Sequence, residues 1–378
     1  MILPGSTIGM LGGGQLGRMS TFKAKQMGYN VVVLDPAPHC PCGQVADAQI
    51  VAHFDDESAL QELAAACDVI TYEFENVAVQ AVELLESWGK TVWPDSHALR
   101  ISQHRWAEKE FLRQSGVGVA DFFKVAARAD LAIAAAQIGF PSLLKTATGG
   151  YDGKGQVLLH NDTQAGQAFD TLNHPALIWE KQVPFIKELS VICARNRQGE
   201  VVTYPATENI HVDNILDISL APAEAPAKVQ AEAQRVARII AEKLNLVGVC
   251  GVEMFLLSDE TILVNELAPR PHNSGHYTLD ACRCSQFEQH IRAICGLPLG
   301  STELKGYAAM VNLLGTGAGN NLTGLEDVLQ NSRVCFHLYG KHQAAAKRKM
   351  GHVTALSDSS VHEALGWALE AREKLKWQ

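Results

Sequence analysis

Residues 148–156 read "TGGYDGKGQ" and contain four glycines, one lysine and one aspartate. Glycine loses more backbone entropy on folding than any other residue, so such a cluster indicates a sharp turn, a close approach of the backbone to a ligand, or a moving flap. A surface hairpin turn around Asp152 and Gly153 explains the segment equally well when it is considered alone. The flanking sequence has to decide between a plain turn and a loop that covers a ligand.

An apolar strand, "PSLLKTA", runs directly into this glycine loop and carries Lys145. A lysine at this place is either the exposed end of a strand or a cation that reaches phosphate groups under the loop. The backbone amides freed by the four glycines favour the second interpretation, because amides and a lysine together bind phosphate. No GK[ST] follows with the spacing of a Walker A loop. The sequence therefore predicts a phosphate-binding lid of a different kind.

Two acids interrupt the apolar strands of residues 252–267, "VEMFLLSDETILVNEL". If Asp259 and Glu260 form a two-residue turn, Glu253 lies directly opposite Glu266. Like charges at a cross-strand distance of about 5 Å repel each other unless a cation stands between them. Magnesium prefers oxygen ligands, and Asn265 adds a neutral oxygen. The sequence predicts a magnesium site here, and a solvated hairpin face with a slipped register is the alternative.

Residues 265–277, "NELAPRPHNSGHY", place many hydrogen-bond donors directly after the proposed metal strand. These donors are Arg270, His272, Asn273, Ser274 and His276. Prolines hold the backbone of this segment extended. A structural polar loop is one explanation, but the position beside a proposed metal favours an anion site.

A basic turn, "YGKHQAAAKRKMGH", contains Lys341, Lys347, Arg348 and Lys349. Taken alone, this turn is best explained as a solvated basic surface.

Gly12, Gly14 and Gly17 form a GxGxxG pattern between a predicted strand and a predicted helix. Asp35 ends the next strand, at about the distance where a dinucleotide-binding fold places its ribose-binding acid. A nicotinamide-dependent dehydrogenase is therefore an alternative. The pattern is a weak signal, since the same glycines occur wherever a strand-to-helix turn packs tightly or approaches a phosphate.

The composition is that of an ordinary globular protein of two or three domains, with 378 residues and 47 % hydrophobic content. The net charge of −9 and the absence of a basic stripe do not indicate a nucleic-acid-binding protein. Nine cysteines without any CxxC spacing predict reduced thiols in a cytoplasmic protein and no zinc site. The N-terminus predicts a strand and turn and not a signal peptide, and no apolar run is long enough to span a membrane.

Strands that alternate with helices over the first 97 residues predict a parallel sheet with helices on its faces. We expect this first domain at residues 1–97. A second domain at residues 98–297 then contains the glycine lid and the acidic hairpin, and a small third domain occupies residues 298–378.

Five segments together resemble the ATP-grasp superfamily and, within it, the 5-(carboxyamino)imidazole ribonucleotide synthetases of purine biosynthesis. These segments are "GGGQLGRM", "TYEFENV", "TGGYDGKGQ", "NELAPRPHNSGH" and "RKMGH", and they occur in the family's order. The resemblance covers nearly the whole chain. It implies an α/β protein with an ATP-grasp fold, a Rossmann-like N-terminal domain and a small C-terminal domain.

The resemblance also implies which residues bind the cofactors and substrates. ATP would be held by Arg100, Lys145, Gly150, Tyr151, Asp152, Gly153, Lys154, Gly155, Gln156, Glu180, Lys181, Gln182, Val183, Glu188, His211, Asn265 and Glu266. Magnesium would be held by Glu253 and Glu266, in agreement with the hairpin argument. Aminoimidazole ribonucleotide would contact Gln15, Leu16, Glu73, Tyr151, Asp152, Asn273, Ser274, Lys341 and Arg348. The catalytic residues would be Asp152, Arg270, His272 and Lys341.

The activity that the resemblance implies is carboxylation of the exocyclic amine of 5-aminoimidazole ribonucleotide by ATP and bicarbonate, through carboxyphosphate. Carboxyphosphate is fragile in water, which explains a glycine lid that closes over the site. The family further suggests a homodimer. In one place the chain departs from the family, which usually reads RPGRK before the final MGH where residues 345–349 read "AAKRK". An arginine is lost and Lys347 is gained, so the charge is roughly kept but bidentate geometry is not.

Three alternatives stay open at the level of sequence. Another ATP-grasp carboxylase or ligase would share the lid and the metal site but differ in the "HNSGH" loop and the "KRKMGH" tail. A dehydrogenase would bind nicotinamide on the first domain and show no ATP turnover. A non-enzymatic nucleotide sensor would bind ATP without consuming it.

Overall fold

A four-stranded parallel sheet forms the N-terminal part of the fold. The computed structural model of the chain describes residues 1–150 and 153–378. The strands are β1 (Thr7–Leu11), β2 (Asn30–Leu34), β3 (Ala48–Ile50) and β4 (Val69–Tyr72), in the order β3-β2-β1-β4. The helices are α1 (Gln15–Gln26), α2 (Glu57–Ala66) and α3 (Val79–Ser87). Parallel strands need crossover connections, and α1 and α2 supply two of them, as the alternating sequence pattern predicts.

A second, antiparallel sheet carries the strand that leads into the glycine lid. Its strands are β5 (Phe122–Val125), β6 (Ser142–Thr146), β7 (Gln156–Leu159) and β8 (Leu177–Lys181), in the order β5-β8-β6-β7. Helices α6 (Asp130–Ile138) and α7 (Asp162–Leu172) pack on this sheet, whereas α4 (Ser96–Gln103) and α5 (Arg105–Gln114) precede it along the chain and pack against β14 (Ile262–Ala268) of the next sheet. One residue, His104, separates helices α4 and α5. The chain becomes extended at His104, whose ring nitrogen accepts a hydrogen bond from the amide of Trp106 and begins α5.

A nine-stranded sheet forms the rest of the molecule. Its strands are β9 (Phe185–Arg195), β10 (Val201–Thr203), β11 (Thr207–Val212), β12 (Ile215–Ala221), β13 (Gly248–Leu257), β14 (Ile262–Ala268), β15 (Tyr307–Leu314), β17 (Val334–Leu338) and β18 (Lys349–Ser357). The order is β14-β13-β9-β11-β12-β15-β18-β17, with β10 paired to β9, and a small pair is formed by β16 (Leu322–Thr323) and β19 (Lys376–Trp377). The helices are α8 (Ala227–Lys243), α9 (Thr278–Ala281), α10 (Gln286–Ile294), α11 (Leu325–Leu329) and α12 (Val361–Lys374), with a 3-10 turn at Asn273–Gly275.

The large sheet is continuous across residue 297, where the sequence analysis places a domain boundary. Strand β12 pairs with β15 through Ile218 and Val311, so the C-terminal strands extend the sheet of the central region. Helix α12 packs against β15 and β18 around a core that includes Ala364 and Ala368. The C-terminal segment therefore shares backbone hydrogen bonds with the central region.

The β13–β14 hairpin opposes Glu253 to Glu266, but by a different route from the one predicted. The prediction of a two-residue turn at Asp259 and Glu260 is wrong. The amide of Leu257 bonds to the carbonyl of Thr261, so the turn between them has three residues. This turn shifts the register by one residue. A bulge at Asn265, between the pairs Met254↔Val264 and Glu253↔Glu266, shifts it back. The two deviations cancel, so the two acids face each other as the sequence argument requires.

All nine cysteines are free thiols, and all except Cys335 are buried. None of the described helices combines the length and the apolar character needed to cross a membrane.

Candidate functional site

A cavity of about 720 Å³ opens where the three sheets meet, and most of the predicted site residues line it. These are Gln15, Leu16, Glu73, Lys145, Gly150, Gly153, Lys154, Gln156, Glu188, His211, Glu253, Asn265, Glu266, Arg270, His272, Asn273, Lys341 and Arg348. The described residues that were predicted for the site but do not line the cavity are Arg100, Gly155, Glu180, Lys181, Gln182, Val183 and Ser274. Tyr151 and Asp152 lie outside the described residues.

Two lysines share one buried carboxylate beside the cavity, which Lys145 lines. Lys145 on β6 donates to Glu180 at 2.9 Å, and the Lys109 ammonium lies 3.8 Å from the same oxygen. Burial lowers the pKa of Lys145. Burial opposes ionisation of Glu180, but the charges of Lys109 and Lys145 outweigh it and lower the pKa of Glu180 to about 2. With Arg105 nearby, positive charge exceeds negative charge at this place, which suits a phosphate chain.

Arg105, and not Arg100, is the arginine of this region that reaches the cavity. Arg105 begins α5, donates to the carbonyls of Thr146 and Gly150 at 3.2 and 3.1 Å, and so contacts the start of the glycine lid. Arg100 lies on α4 with 57 % of its side chain exposed and forms an ion pair with Glu83. The extended backbone of His104 interrupts the helix between Arg100 and Arg105, and the sequence spacing of the two arginines does not show this interruption.

Two glycines of the lid, Gly153 and Gly155, have close neighbours. Gly153 has a φ of +77°, and a Cβ there would lie 2.5 Å from the side-chain nitrogen of Asn214 on the turn between β11 and β12. Gly155 has a φ of +73°, and a Cβ there would lie 2.8 Å from the Thr146 hydroxyl. Both positions combine left-handed backbone with a crowded neighbour, so glycine is the residue that fits.

The cavity also contains an apolar slot, formed in part by Leu143, Phe255 and Leu267. The linker after β8 runs past this region. Its Lys181 and Gln182 amides already donate to the carbonyls of Asp121 and Pro141, at 2.8 and 3.2 Å. Glu188 on β9 pairs with Phe255 on β13 and so lies beside these apolar side chains. It bonds to His211, and although burial opposes it, this hydrogen bond raises the pKa of His211. An apolar slot with a carboxylate beside it suits a nucleoside, whose base is flat and whose ribose carries hydroxyls.

Glu253 and Glu266 place two carboxylates side by side in the cavity. Burial and the negative charge of Glu253 raise the pKa of Glu266. The pair is only partly balanced, since the positive charge of Arg105 lies 3.9 Å from Glu266 and Glu253 has the His272 imidazole as its neighbour at 3.1 Å. Glu266 still exposes 46 % of its side chain to the cavity. Facing carboxylates with incomplete balance fit a divalent cation that prefers oxygen ligands.

Arg270 is held by an acid that the sequence analysis missed. Glu75 forms a bidentate ion pair with it, one arm of which is 2.8 Å long, and the charge of Arg270 overcomes burial to lower the pKa of Glu75 to about 2. Glu75 follows Glu73 by two residues in the quoted "TYEFENV" segment. The signal was therefore present, but its partner is 195 residues away along the chain.

The "HNSGH" loop supports the cavity wall more than it lines it. Ser274 is fully buried, accepts from Ser190 at 2.7 Å and lies 2.9 Å from the Nδ1 of His272. Asn273 exchanges two side-chain hydrogen bonds with Asn312 on β15, at 3.1 and 2.8 Å. The side-chain groups predicted to contact substrate are thus already bonded to the protein.

The glycine turn of the N-terminal sheet has its anion site filled by the protein itself. The amides of Gly14 and Gly17 donate to the two carboxylate oxygens of Glu73 at 2.6 and 2.9 Å, and that of Gly13 donates to Asp35 at 2.7 Å. A dinucleotide would need these amides for its pyrophosphate. Because Glu73 and Asp35 occupy them, the turn does not offer the phosphate site of a dehydrogenase.

The basic turn also lines the cavity. Lys341 donates to the carbonyl of Lys349 at 2.7 Å, and burial together with the charge of Arg348 lowers its pKa to about 8. Lys347 has a φ of +64° and forms an exposed ion pair with Asp213 at 3.0 Å. The family usually has glycine at this place, and the left-handed backbone of Lys347 is the conformation that glycine adopts most easily.

Comparison with known proteins agrees with this geometry. Residues 5–103 match the ribonucleotide synthetase preATP-grasp domain, residues 110–287 the ATP-grasp domain, and residues 308–365 the phosphoribosylaminoimidazole carboxylase C-terminal domain. The N5-carboxyaminoimidazole ribonucleotide synthase of Bacillus subtilis is 48 % identical over 94 % of this chain and 92 % of its own length. The chain belongs to this family.

Solved structures of the N5-carboxyaminoimidazole ribonucleotide synthase family superpose over almost the entire chain. An ADP complex of one synthetase is 48 % identical with a TM-score of 0.92, and covers 98 % of this chain and 97 % of that chain. A synthase from Aspergillus clavatus, in complex with ADP and 5-aminoimidazole ribonucleotide, is 34 % identical with a TM-score of 0.89, and covers 98 % and 99 %. The ATP-grasp fold with its two flanking domains is therefore confirmed.

Proposed function

We propose that this chain is an ATP-dependent carbon–nitrogen ligase that carboxylates the exocyclic amine of 5-aminoimidazole ribonucleotide to give 5-(carboxyamino)imidazole ribonucleotide in purine biosynthesis. The observation that carries this function is one cavity lined by Lys145, by two facing glutamates and by a basic turn. These three groups suit a nucleotide, a divalent cation and a second phosphate-bearing substrate, respectively. Carboxyphosphate, formed from ATP and bicarbonate, is the proposed intermediate.

ATP is proposed to lie along the cavity from the apolar slot to the lysine pair. Because the Lys181 and Gln182 amides are used within the protein, we assign recognition of the adenine edge to the Val183 amide and a linker carbonyl. Glu188 accepts from the ribose hydroxyls. Lys145, Arg105 and the lid amides neutralise and orient the phosphates, which is most of what phosphoryl transfer requires from a protein.

Magnesium is proposed to bind between Glu253 and Glu266, with Asn265 beside it. When bound, it would neutralise charge on the phosphates. His272 donates to Glu253 and so orients that carboxylate, in the way that ligating carboxylates are generally supported by a further hydrogen bond.

The second substrate is proposed to lie between the glycine turn and the basic turn. Lys341 and Arg348 would hold its phosphate, and Glu73 would accept a hydrogen bond from its polar groups. Arg270, kept in place by Glu75, would stabilise the anionic carboxyl donor. Asp152 is proposed to orient or deprotonate the amine when the lid closes; it lies outside the described part of the chain.

We further propose the domain boundaries at residues 97 and 297, a homodimer and a cytoplasmic location. Light scattering coupled to gel filtration would test the dimer, and a monomeric mass at micromolar concentration would exclude it.

Replacing Arg105 with alanine is expected to raise the KM for ATP by about 10–100-fold, the loss of one to two charge-assisted hydrogen bonds. The matched control is Arg100→Ala, which removes the same charge from the neighbouring helix α4, outside the cavity. The measurement is ADP release as a function of ATP concentration. Equal KM values for the two variants would contradict the assignment of Arg105 to the ATP site.

The function is tested by ADP release from purified protein with ATP and magnesium, with and without bicarbonate and with and without 5-aminoimidazole ribonucleotide. We expect strong stimulation that needs both additions. Turnover that ignores the ribonucleotide would point to another ATP-grasp ligase. ATP binding without turnover would point to a nucleotide sensor.

A further inference from the structure

One buried side chain holds the backbone of His272 on both sides. The amide nitrogen of His272 donates to the Gln286 Oε1 at 2.8 Å, and the Gln286 Nε2 donates to the His272 carbonyl at 2.7 Å. Gln286 is the first residue of α10 and has no exposed surface. Its primary amide thus pairs with His272 as a neighbouring β-strand would pair with it.

Gln286 is itself fixed by the structure around it. The backbone amide of Gln286 donates to the Thr278 hydroxyl at 3.0 Å, and that hydroxyl donates to the Gly275 carbonyl at 2.6 Å. A Cβ at Gly275 would lie 2.7 Å from the Gln286 Oε1, so the loop fits closely against this side chain. The Gln286 amide is therefore a rigid support and not an adaptable one.

The imidazole of His272 depends on this support for its position in the cavity. Its Nε2 lies 3.1 Å from Glu253, and its Nδ1 lies 2.9 Å from the Ser274 hydroxyl. Ser190 donates to Ser274 at 2.7 Å, so Ser274 is free to donate its own proton to Nδ1 and leave the hydrogen on Nε2. A shift of the His272 backbone would move Nε2 away from Glu253 and from anything bound beside it.

We propose that Gln286 is a positioning residue for the carboxylation reaction, which it serves by pinning the main chain of His272 so that the imidazole points at Glu253 and the bound substrates. This inference rests on the proposed function of the cavity. It assigns to helix α10 a direct part in the geometry of the active site. Small displacements of such a group are costly, because a misplacement of about 1 Å can cost about 100-fold in rate.

The same helix supplies a matched control. Gln289, also fully buried, donates to the Gly300 carbonyl at 2.6 Å and accepts from the Gly300 amide at 2.8 Å. It therefore makes the same paired hydrogen bonds three residues further along α10. Gly300 does not line the cavity, so Gln289 shares the structural role of Gln286 without its proposed catalytic consequence.

The test compares Gln286→Glu with Gln289→Glu over a range of pH, each relative to the unmodified protein at the same pH. A neutral carboxylic acid keeps both hydrogen bonds, because its carbonyl accepts and its hydroxyl donates. An ionised carboxylate loses the donor and places negative charge against a carbonyl oxygen. Burial raises the pKa of a carboxyl group, so the introduced acid is neutral at low pH and ionises as the pH rises, and the pH at which Gln289→Glu loses stability marks this ionisation. We expect relative kcat for Gln286→Glu to be within about threefold of the unmodified protein below that pH and to fall by about 100-fold above it, with KM for ATP changed little.

Gln289→Glu is expected to lose thermal stability with rising pH to a similar extent and to keep its relative kcat. Equal loss of kcat in the two variants, or no loss in Gln286→Glu, would overturn the proposal. Failure of Gln286→Glu alone to fold would overturn it too, since Gln286 would then be a structural residue. Absence of ribonucleotide-dependent turnover in the unmodified protein would instead refute the proposed function. ADP release by the unmodified protein is therefore measured before the variants are compared.

Discussion

Replacing Glu253 with glutamine is expected to raise the magnesium concentration for half-maximal turnover by at least about tenfold, since changes around a metal site cost 10–100-fold in affinity. Glutamine keeps the size of the side chain but removes the charge that opposes Glu266 across the hairpin. It also removes the negative charge that the His272 Nε2 faces at 3.1 Å. The measurement is a magnesium titration of ADP release at saturating ATP.

The control for Glu253→Gln is Glu260→Gln, at the turn of the same hairpin. Glu260 forms an ion pair with Lys228, whose side chain is 76 % exposed. This control loses the same charge far from the cavity, and its magnesium titration should match that of the unmodified protein. A Glu253→Gln titration that also matches would refute the metal assignment.

Replacing Lys145 with methionine is expected to lower kcat/KM for ATP by about 100–1,000-fold, the range found when one preorganised donor to a reacting group is removed. The lysine is 13 % exposed and donates to Glu180, so its ammonium is fixed before any ligand arrives. Methionine fills a similar volume without the charge. The measurement is ADP release against ATP concentration with both other substrates saturating.

A matched control is Lys124→Met on β5 of the same sheet. Lys124 and Lys145 both pair with Ile178, from opposite sides of β8. Lys124 is 49 % exposed and does not line the cavity. A similar loss in both variants would show that the effect of Lys145→Met comes from the sheet and not from the phosphate site.

The sequence was informative wherever function depends on neighbours along the chain. Lys145, the glycines of the lid and the two acids of the hairpin all lie where local patterns predict them. The opposition of Glu253 and Glu266 was also correct, although its derivation assumed the wrong turn. Sheet periodicity restricts which residues share a face, so an error of one residue has to be compensated if the face is to be kept.

The sequence was uninformative wherever a partner comes from another element. Nothing local links Glu75 to Arg270 or Gln286 to the backbone of His272. The glycine turn shows the same limit in a sharper form, because its pattern resembles a dinucleotide site while the fold brings Glu73 into the position of the phosphate. The resemblance implied Arg100 by position, whereas the arginine that lines the cavity is Arg105, five residues further along the chain.

The bulge at Asn265 has a consequence for how this hairpin can change in length. The three-residue turn and the bulge each displace the register by one residue, in opposite directions. The amide of Leu257 bonds to the carbonyl of Thr261 and closes the ladder before the exposed tip, so a change in the length of the tip leaves Glu253 opposite Glu266. The tip can therefore accept an inserted loop, whereas the two strands that carry the acids cannot change in length without moving a side chain to the other face.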